Sequence, residues 1–427
     1  MDRFLPIRAV RGRHLAVILL AILAIGMIVA ACSDDDDDGE EDLVGEGDAL
    51  KIGFLADFSG PLAEFGPVIQ TGVELALKHI NDAGGVNGAP VTFVTGDSAV
   101  DPNQGVEEAR RLVEVEGVSA IVGPLSSGVT IAVAESVTGA AGIVTITPSG
   151  TSPAVSLADD DDFLFRSTVS DAAQGPVFAN VATDEGFDNL GILYIDDAYG
   201  QGLSAAIENA FAGDSIRIAY QDGQPSYLAE LQEAASGGAS VLVAVGFPTQ
   251  AEVYIREALE AGLFDQFMFV DGTKSQELID TIGAEFLNGF KGTAPGAGPE
   301  SESAIAWNAA YEAEFGELPA LPFVREAYDA TIAIALAAAY AGSSDGPDIR
   351  DALRAIAAPD GTVVVPGGDG IASGLDLILA GESINYEGAA TTLDWNEVGD
   401  VATGFIEIWE YVDGAPVALD EVPFDLG

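Results

Sequence analysis

The stretch VLVAVGFPTQAEVYIREALEAGLFDQFMFVDG, residues 241–272, decides the fold. Five apolar residues (241–245) are followed by the turn GFPT (246–249), a helix expected over 250–261, and a second apolar strand over 266–270. A strand–helix–strand unit lays its strands parallel, and a parallel sheet needs helices on both faces. The same rhythm runs toward the N-terminus: strand 190–195, helix 202–211, strand 216–220, helix 227–235. An earlier series has strands at 50–55, 91–94, 120–122, 142–146 and 163–166, with helices at 67–83, 104–115 and 129–138. Helices at 302–314, 324–340 and 348–356 follow, then closing strands at 390–395 and 404–411. The fold class read from this pattern is α/β, with two doubly wound parallel-sheet lobes built from one topology used twice.

Composition narrows the function. The chain has 427 residues, 16 Lys and Arg against 69 Asp and Glu, and a formal net charge of −53. Phosphate neutralisation needs a basic surface, so no nucleic-acid partner is expected, nor adsorption to an anionic membrane. The acid excess is spread along the chain rather than gathered in one tail, which points to a salty medium that screens the self-repulsion.

At the N-terminus, Arg3, Arg8, Arg11 and Arg13 precede the uncharged run 15–31. Val29-Ala30-Ala31-Cys32 then resembles a bacterial lipobox, in which the signal is cut before the Cys and the sulfur carries lipid. Cys32 is the single Cys of the chain, so the mature protein is expected to hold no disulfide and no thiol chemistry. The run 33–49, with Asp34 to Asp38 in a row, repels itself and reads as a solvated tether. It lacks the ligand spacing of a calcium loop, so no metal is expected there.

In open α/β sheets, ligands bind beyond the carboxyl ends of the strands. Six loops at such ends carry the most distinctive residues: 57–66 (DFSGPLAEFG), 123–128 (GPLSSG) and 147–153 (TPSGTSP) in the first series, 196–200 (DDAYG), 246–249 (GFPT) and 271–274 (DGTK) in the second. Ser126 and Ser127 stand at the start of a helix whose first N–H groups and dipole favour an anion, unless they are a plain N-cap. Ser149 and Thr151 sit on a turn after a strand, which suits either a binding loop or a structural Ser/Thr turn. Asp271 follows the apolar strand FMFV, facing a cleft or ending a surface turn before Gly272.

The wording and order of 53–66, 80–88 (INDAGGVNG), 121–127 (IVGPLSS), 147–153 and 327–330 resemble the periplasmic leucine/isoleucine/valine-binding proteins, from about residue 50 to 414. The resemblance implies a type I periplasmic binding fold with a three-strand hinge. Its expected parts are a signal peptide (1–31), a lipidated acidic tether (32–49), lobe 1 (50–170 plus 293–401) and lobe 2 (171–292 plus 402–427). It further implies that Ser127 holds a ligand carboxylate, that Ser149 and Thr151 complete the cradle, and that Asp271 meets the ammonium. Tyr199 would cap the ligand, Phe65 and Phe247 would line the cleft, and Leu125 would touch the ligand side chain. Relatives that carry a disulfide have Cys where this chain has Val100 and Ser126, and some have Tyr at the position of Phe247. The implied role is a lipid-anchored, monomeric, extracytoplasmic substrate-binding protein handing an amino acid to an ABC permease and ATPase, or else signalling solute occupancy to a partner receptor.

Enzymatic chemistry finds little footing. Beyond the signal run the one His is His79, inside an amphipathic helix, and no nucleophile elbow or phosphate-loop Lys is present. No cofactor and no catalytic residue is expected.

Overall fold

Lys51–Ala56 (β1) is buried along almost its whole length, as a central strand covered on both faces must be. The computed structural model describes residues 49–298 and 301–426; the expected signal peptide, Cys32 and all but the end of the tether lie outside the described residues. Around β1 stand Thr92–Asp97 (β2), Ala120–Val122 (β3), Val144–Thr147 (β4) and Leu164–Arg166 (β5), all parallel, in the order β2-β1-β3-β4-β5. The second sheet contains Asn189–Ile195 (β6), Asp214–Tyr220 (β7), Val241–Val245 (β8), Phe267–Phe269 (β9) and Lys291–Gly296 (β10), parallel to one another. Thr362–Val364 (β11) and Ile384–Tyr386 (β12) form a separate parallel pair. Thr403–Val412 (β13) and Ala415–Asp425 (β14) add to the second sheet antiparallel, giving the order β14-β13-β10-β9-β8-β6-β7. The result is a two-lobe α/β fold.

Both sheets reverse strand order at one point. The chain steps from β1 outward to β2 and returns to place β3 on the other side of β1; likewise β8 lies across β6 from β7. A crevice opens at each switch point, beyond the carboxyl ends of β1 and β3 and of β6 and β8. The chain passes between the two sheets three times, after β5, after β10 and before β13. Between the last two passages the Val324–Ala341 helix, buried along most of its length, packs on the Phe65–Asp82 helix and against β3 and β4.

Several elements depart from the sequence reading. The segment 390–395 is not a strand: its Ala390 N–H, with that of Ala389, donates to the buried Asp329 carboxylate at 2.8 Å. Those N–H groups would otherwise serve a ladder. Asp171–Asp184 is a helix although Gly175 and Pro176 interrupt its pattern. Gly175 is needed there, because a Cβ would come within 2.6 Å of Ala206 on the neighbouring Ala198–Ala210 helix. The Gly368–Leu379 helix, β10, β11, β12 and β14 also have no counterpart in the sequence reading.

Candidate functional site

Where the two crevices face each other lies a partly open pocket with about 360 Å³ of free space, some of it continuous with solvent. Leu62, Phe65 and Ile69 reach it from beyond β1, Leu125, Ser126 and Ser127 from beyond β3, and Ser149 from beyond β4. Opposite stand Tyr199 after β6, Phe247 after β8, and Asp271 with Gly272 after β9; Phe323 closes one side. Seven of the eight expected ligand residues therefore meet at one cavity. Thr151 is the exception: it lies fully buried outside the lining.

The first wall is neutral. Gly123 turns the chain after β3 at φ +108, where a Cβ would stand 2.0 Å from the Leu55 carbonyl oxygen, so glycine alone fits. Ser126 then occupies the N-cap of the Ser127–Val133 helix without capping it through its side chain. The Ser127 hydroxyl accepts from the Ser152 N–H at 3.2 Å, which leaves its own proton to donate. Ser149 donates to the Leu125 carbonyl at 2.9 Å and so ties the two loops together. Arg166, only 1 % exposed, fixes the 150–152 turn by donating to the carbonyls of Gly150, Thr151 and Ser152 at 3.1, 3.1 and 3.3 Å. It also pairs with Asp400 at 2.5 Å.

The second wall is acidic. Asp271 is 3 % exposed; its Oδ1 accepts from Gln174 Nε2 at 2.9 Å and from the Tyr199 hydroxyl at 3.0 Å. Burial pushes its carboxyl up to about 6, against these two hydrogen bonds. The Tyr199 hydroxyl also accepts from Gly272 N–H at 3.2 Å, and its ring stacks on Phe247 with centroids 5.6 Å apart. Gly272 has no room for a side chain, since a Cβ would lie 2.4 Å from the Gly246 carbonyl oxygen. Asp271 is the only charged residue of the lining, and no cation faces it across the cavity.

Direct bonds also join the walls. Ser152 Oγ donates to the Ala198 carbonyl at 2.7 Å, and Glu64, ahead of the Phe65–Asp82 helix, accepts from Ser275 Oγ at 2.5 Å and Glu277 N–H at 3.4 Å. An acid, a hydroxyl with a proton to donate and apolar rings around a small space can hold an ammonium, an anionic group and an apolar side chain together.

Sequence reasoning missed Leu62, Ile69 and Phe323 in the lining, and Gln174 and Arg166 behind it. Phe323 takes φ +76, a left-handed conformation costly for an aromatic residue. Nothing in the letters LPFVRE announces it, although the Pro before it marks a break.

The family described as periplasmic binding protein matches residues 49–372. A chemotactic signal transduction system substrate-binding protein, BasB of Halobacterium salinarum, is 27 % identical over 385 residues, covering 84 % of this chain and 86 % of BasB. The leucine-, isoleucine-, valine-, threonine- and alanine-binding protein of Pseudomonas aeruginosa is 29 % identical over 313 residues, 72 % of this chain and 83 % of that one. The leucine-binding protein LivK of Thermotoga maritima superposes with a TM-score of 0.73 at 22 % identity, covering 88 % of this chain and 99 % of its own.

Proposed function

The chain belongs to the periplasmic binding protein family, and from that premise we propose that it captures a small amino acid, branched-chain or otherwise apolar, for an ABC importer. One observation carries the reading: a lone acid, Asp271, faces the Ser127 hydroxyl, whose proton is left to donate, across a small apolar cavity that holds no cation of its own. A zwitterion supplies both missing charges. Its ammonium goes to Asp271, because a buried ammonium needs an ionised partner. Its carboxylate goes to Ser127 and the neighbouring turn, with Thr151 completing the cradle through its loop. Leu62, Phe65, Leu125, Phe247 and Phe323 surround the side chain, and Tyr199 covers the ligand.

The proposed motion is a hinge. Lobe 1 (50–170 plus 293–401) and lobe 2 (171–292 plus 402–427) are joined near Ser170, Thr293 and Val401. Ligand binds the first lobe; closure brings Tyr199 and Asp271 across, excludes water and strengthens each charged contact. The importer reads the closed form, so the open–closed equilibrium carries the signal. In this reading the protein works as a monomer outside the cytoplasmic membrane, held by lipid on Cys32. A second reading, a binding protein that reports occupancy to a receptor, draws on BasB, whose name places it in a chemotactic system. Co-purification with a permease or with a receptor separates the two.

The test is a thermal-melt screen of the purified protein in high salt against the twenty amino acids, amides and small carboxylates. Ligand at a hundred times its Kd adds about 2.7 kcal/mol of stability. A selective rise with leucine, isoleucine or valine, lost in Asp271→Ala, supports the amino-acid reading. A rise only with amides or carboxylates refutes it.

A further inference from the structure

Beside the ligand cavity, and sharing Phe323 with it, lies a second partly open pocket with about 790 Å³ of free space, some of it continuous with solvent. The ligand reading gives it no task. Its walls come from two parts of the fold. Lys274 follows β9, Pro295 lies on β10, Glu407 on β13 and Pro416 on β14, all elements of the second sheet. Trp307 on the Glu302–Phe315 helix and the run 318–326 face them from the segment between β10 and β13. Most of the lining is apolar.

Four titratable side chains reach this pocket, and they are not equivalent. Lys274 is paired with Glu407, so those two charges cancel. Arg325 has no carboxylate partner among the described residues. Its Nη2 donates to Asn308 Oδ1 at 2.8 Å, and its guanidinium stands 5.0 Å from the centroid of the Trp307 ring. These two groups fix the fork and leave most of its five N–H donors unspent among the described residues. The indole N–H of Trp307, a residue 1 % exposed, has no partner either. Two acids lie close enough to feel the charge of Arg325: Glu326, in the lining, and Glu421, on β14. Burial pushes the Glu326 carboxyl up to about 8; burial and then the charge of Glu407 push that of Glu421 up to about 7. In mildly acidic solution both therefore keep their protons, and neither neutralises the guanidinium. Acids outnumber bases 69 to 16 in the chain, so a counter-ion for Arg325 was within easy reach of the sequence. Instead the wall presents a fixed cation to an apolar space.

We propose that this pocket is a second small-molecule site, for a carboxylate with an apolar body: the carboxylate pairs with Arg325, and the hydrocarbon lies among Leu318, Leu321, Pro322 and Pro416. A guanidinium fork matches a carboxylate through two parallel N–H···O bonds, and stacking on an indole holds it ready for them. Other ligand classes fit worse. A cation would meet Arg325 and Lys274. A neutral hydrocarbon would cover the guanidinium and give it no counter-charge. The ammonium of an amino acid would need an ionised acid, and Glu407 is already committed to Lys274. Because the walls come from the second sheet and from the helices between β10 and β13, an occupant bridges the two parts of the fold. The inference does not depend on the amino-acid reading of the cleft.

The experiment is titration calorimetry and thermal melting of the full protein with hexanoate at about pH 6, with hexanamide as the uncharged counterpart. Expected is one hexanoate bound per chain, and hexanamide weaker by about tenfold or more, since it cannot form the charged pair. Arg325→Gln should weaken hexanoate by a similar factor and leave hexanamide where it was. Ala320→Trp, at an exposed position of the lining, should also weaken hexanoate by filling the mouth of the pocket. That second variant decides if Arg325→Gln misfolds. No binding of hexanoate by either method overturns the inference, as does hexanamide binding equally well. Equal hexanoate affinity in the wild type and in the folded variants overturns it too, because the ligand then sits elsewhere, the neighbouring cavity included. None of these results bears on the amino-acid reading of the cleft, which its own melt screen decides.

Discussion

The two walls of the cavity do opposite electrostatic work with similar architecture. Both are built from loops at the switch point of a parallel sheet, and both use glycine to bring backbone close, Gly123 on one side and Gly272 on the other. The first wall offers hydroxyls and peptide groups fixed by an arginine that is itself neutralised by Asp400. The second offers a buried acid oriented by Gln174 and Tyr199. On the proposed reading, a zwitterion is recognised with one protein charge, the anion's partners being dipoles and the cation's partner ionised. It also implies that damage to the two walls will not cost the same.

The largest effect is expected at the second wall. Asp271→Ala removes the ionised partner of a buried ammonium, a loss of about 3–4 kcal/mol, or roughly 10²- to 10³-fold in amino-acid affinity by titration calorimetry. If affinity for leucine falls less than tenfold, the walls do not divide the ligand's charges as described. Ser127→Ala at the first wall takes one hydrogen bond from a charged group, about 1.5–2 kcal/mol or some tenfold to thirtyfold. Equal losses at the two positions would erase the contrast.

The walls should also differ with pH in the empty protein. The Asp271 carboxyl is raised from 3.8 to about 6 by burial, so the folded state holds its proton more tightly than the unfolded chain. That contribution to stability is fully present below about pH 3.8 and is lost as pH rises through about 6. Asp271→Asn, which keeps an oxygen for Gln174 and Tyr199, should therefore melt higher than the wild type above pH 6, with the gap closing toward pH 4. The ligand should no longer raise its melting temperature. His79, by contrast, lies in the Phe65–Asp82 helix against Tyr328, and burial lowers its pKa to about 4. Its contribution is present above about 6.5 and is lost as pH falls toward 4, so the two groups pull the acid limb of the stability curve in opposite directions.

How much of this was legible in the sequence follows from the same contrast. Strands buried on both faces, such as Val241–Val245, are continuous apolar runs, and the reading at 241–245 and 120–122 matches them. The loop residues that line the cavity sit where strand ends must put them. The Asp171–Asp184 helix stayed hidden because Gly175 and Pro176 punctuate it, though the glycine is there for close packing on Ala206. Gln174 was lost with it. β14 carries two prolines and pairs only with β13, so its pattern is that of an exposed edge strand. The 390–395 segment looked extended, but its amides answer to a buried carboxylate 61 residues away in sequence, a demand no local pattern records.

The smallest expected effect concerns what joins the walls when no ligand does. Glu64 accepts from Ser275 Oγ and the Glu277 N–H across the cleft, and burial together with the charge of Glu277 raises its carboxyl above the ordinary range. The latch needs acceptor oxygens more than it needs charge. Glu64→Gln keeps one acceptor and sheds the repulsion from Glu277, so ligand affinity should change by no more than about twofold. Glu64→Ala leaves Ser275 without its partner, and an intramolecular hydrogen bond is worth about 1 kcal/mol net. The closed form then loses about that much, and affinity for leucine should fall roughly fivefold while the melting temperature of the empty protein hardly moves. Small-angle scattering of the empty variant should show a larger radius of gyration than the wild type. An unchanged radius together with unchanged affinity would mean that the Glu64 bonds add nothing to closure.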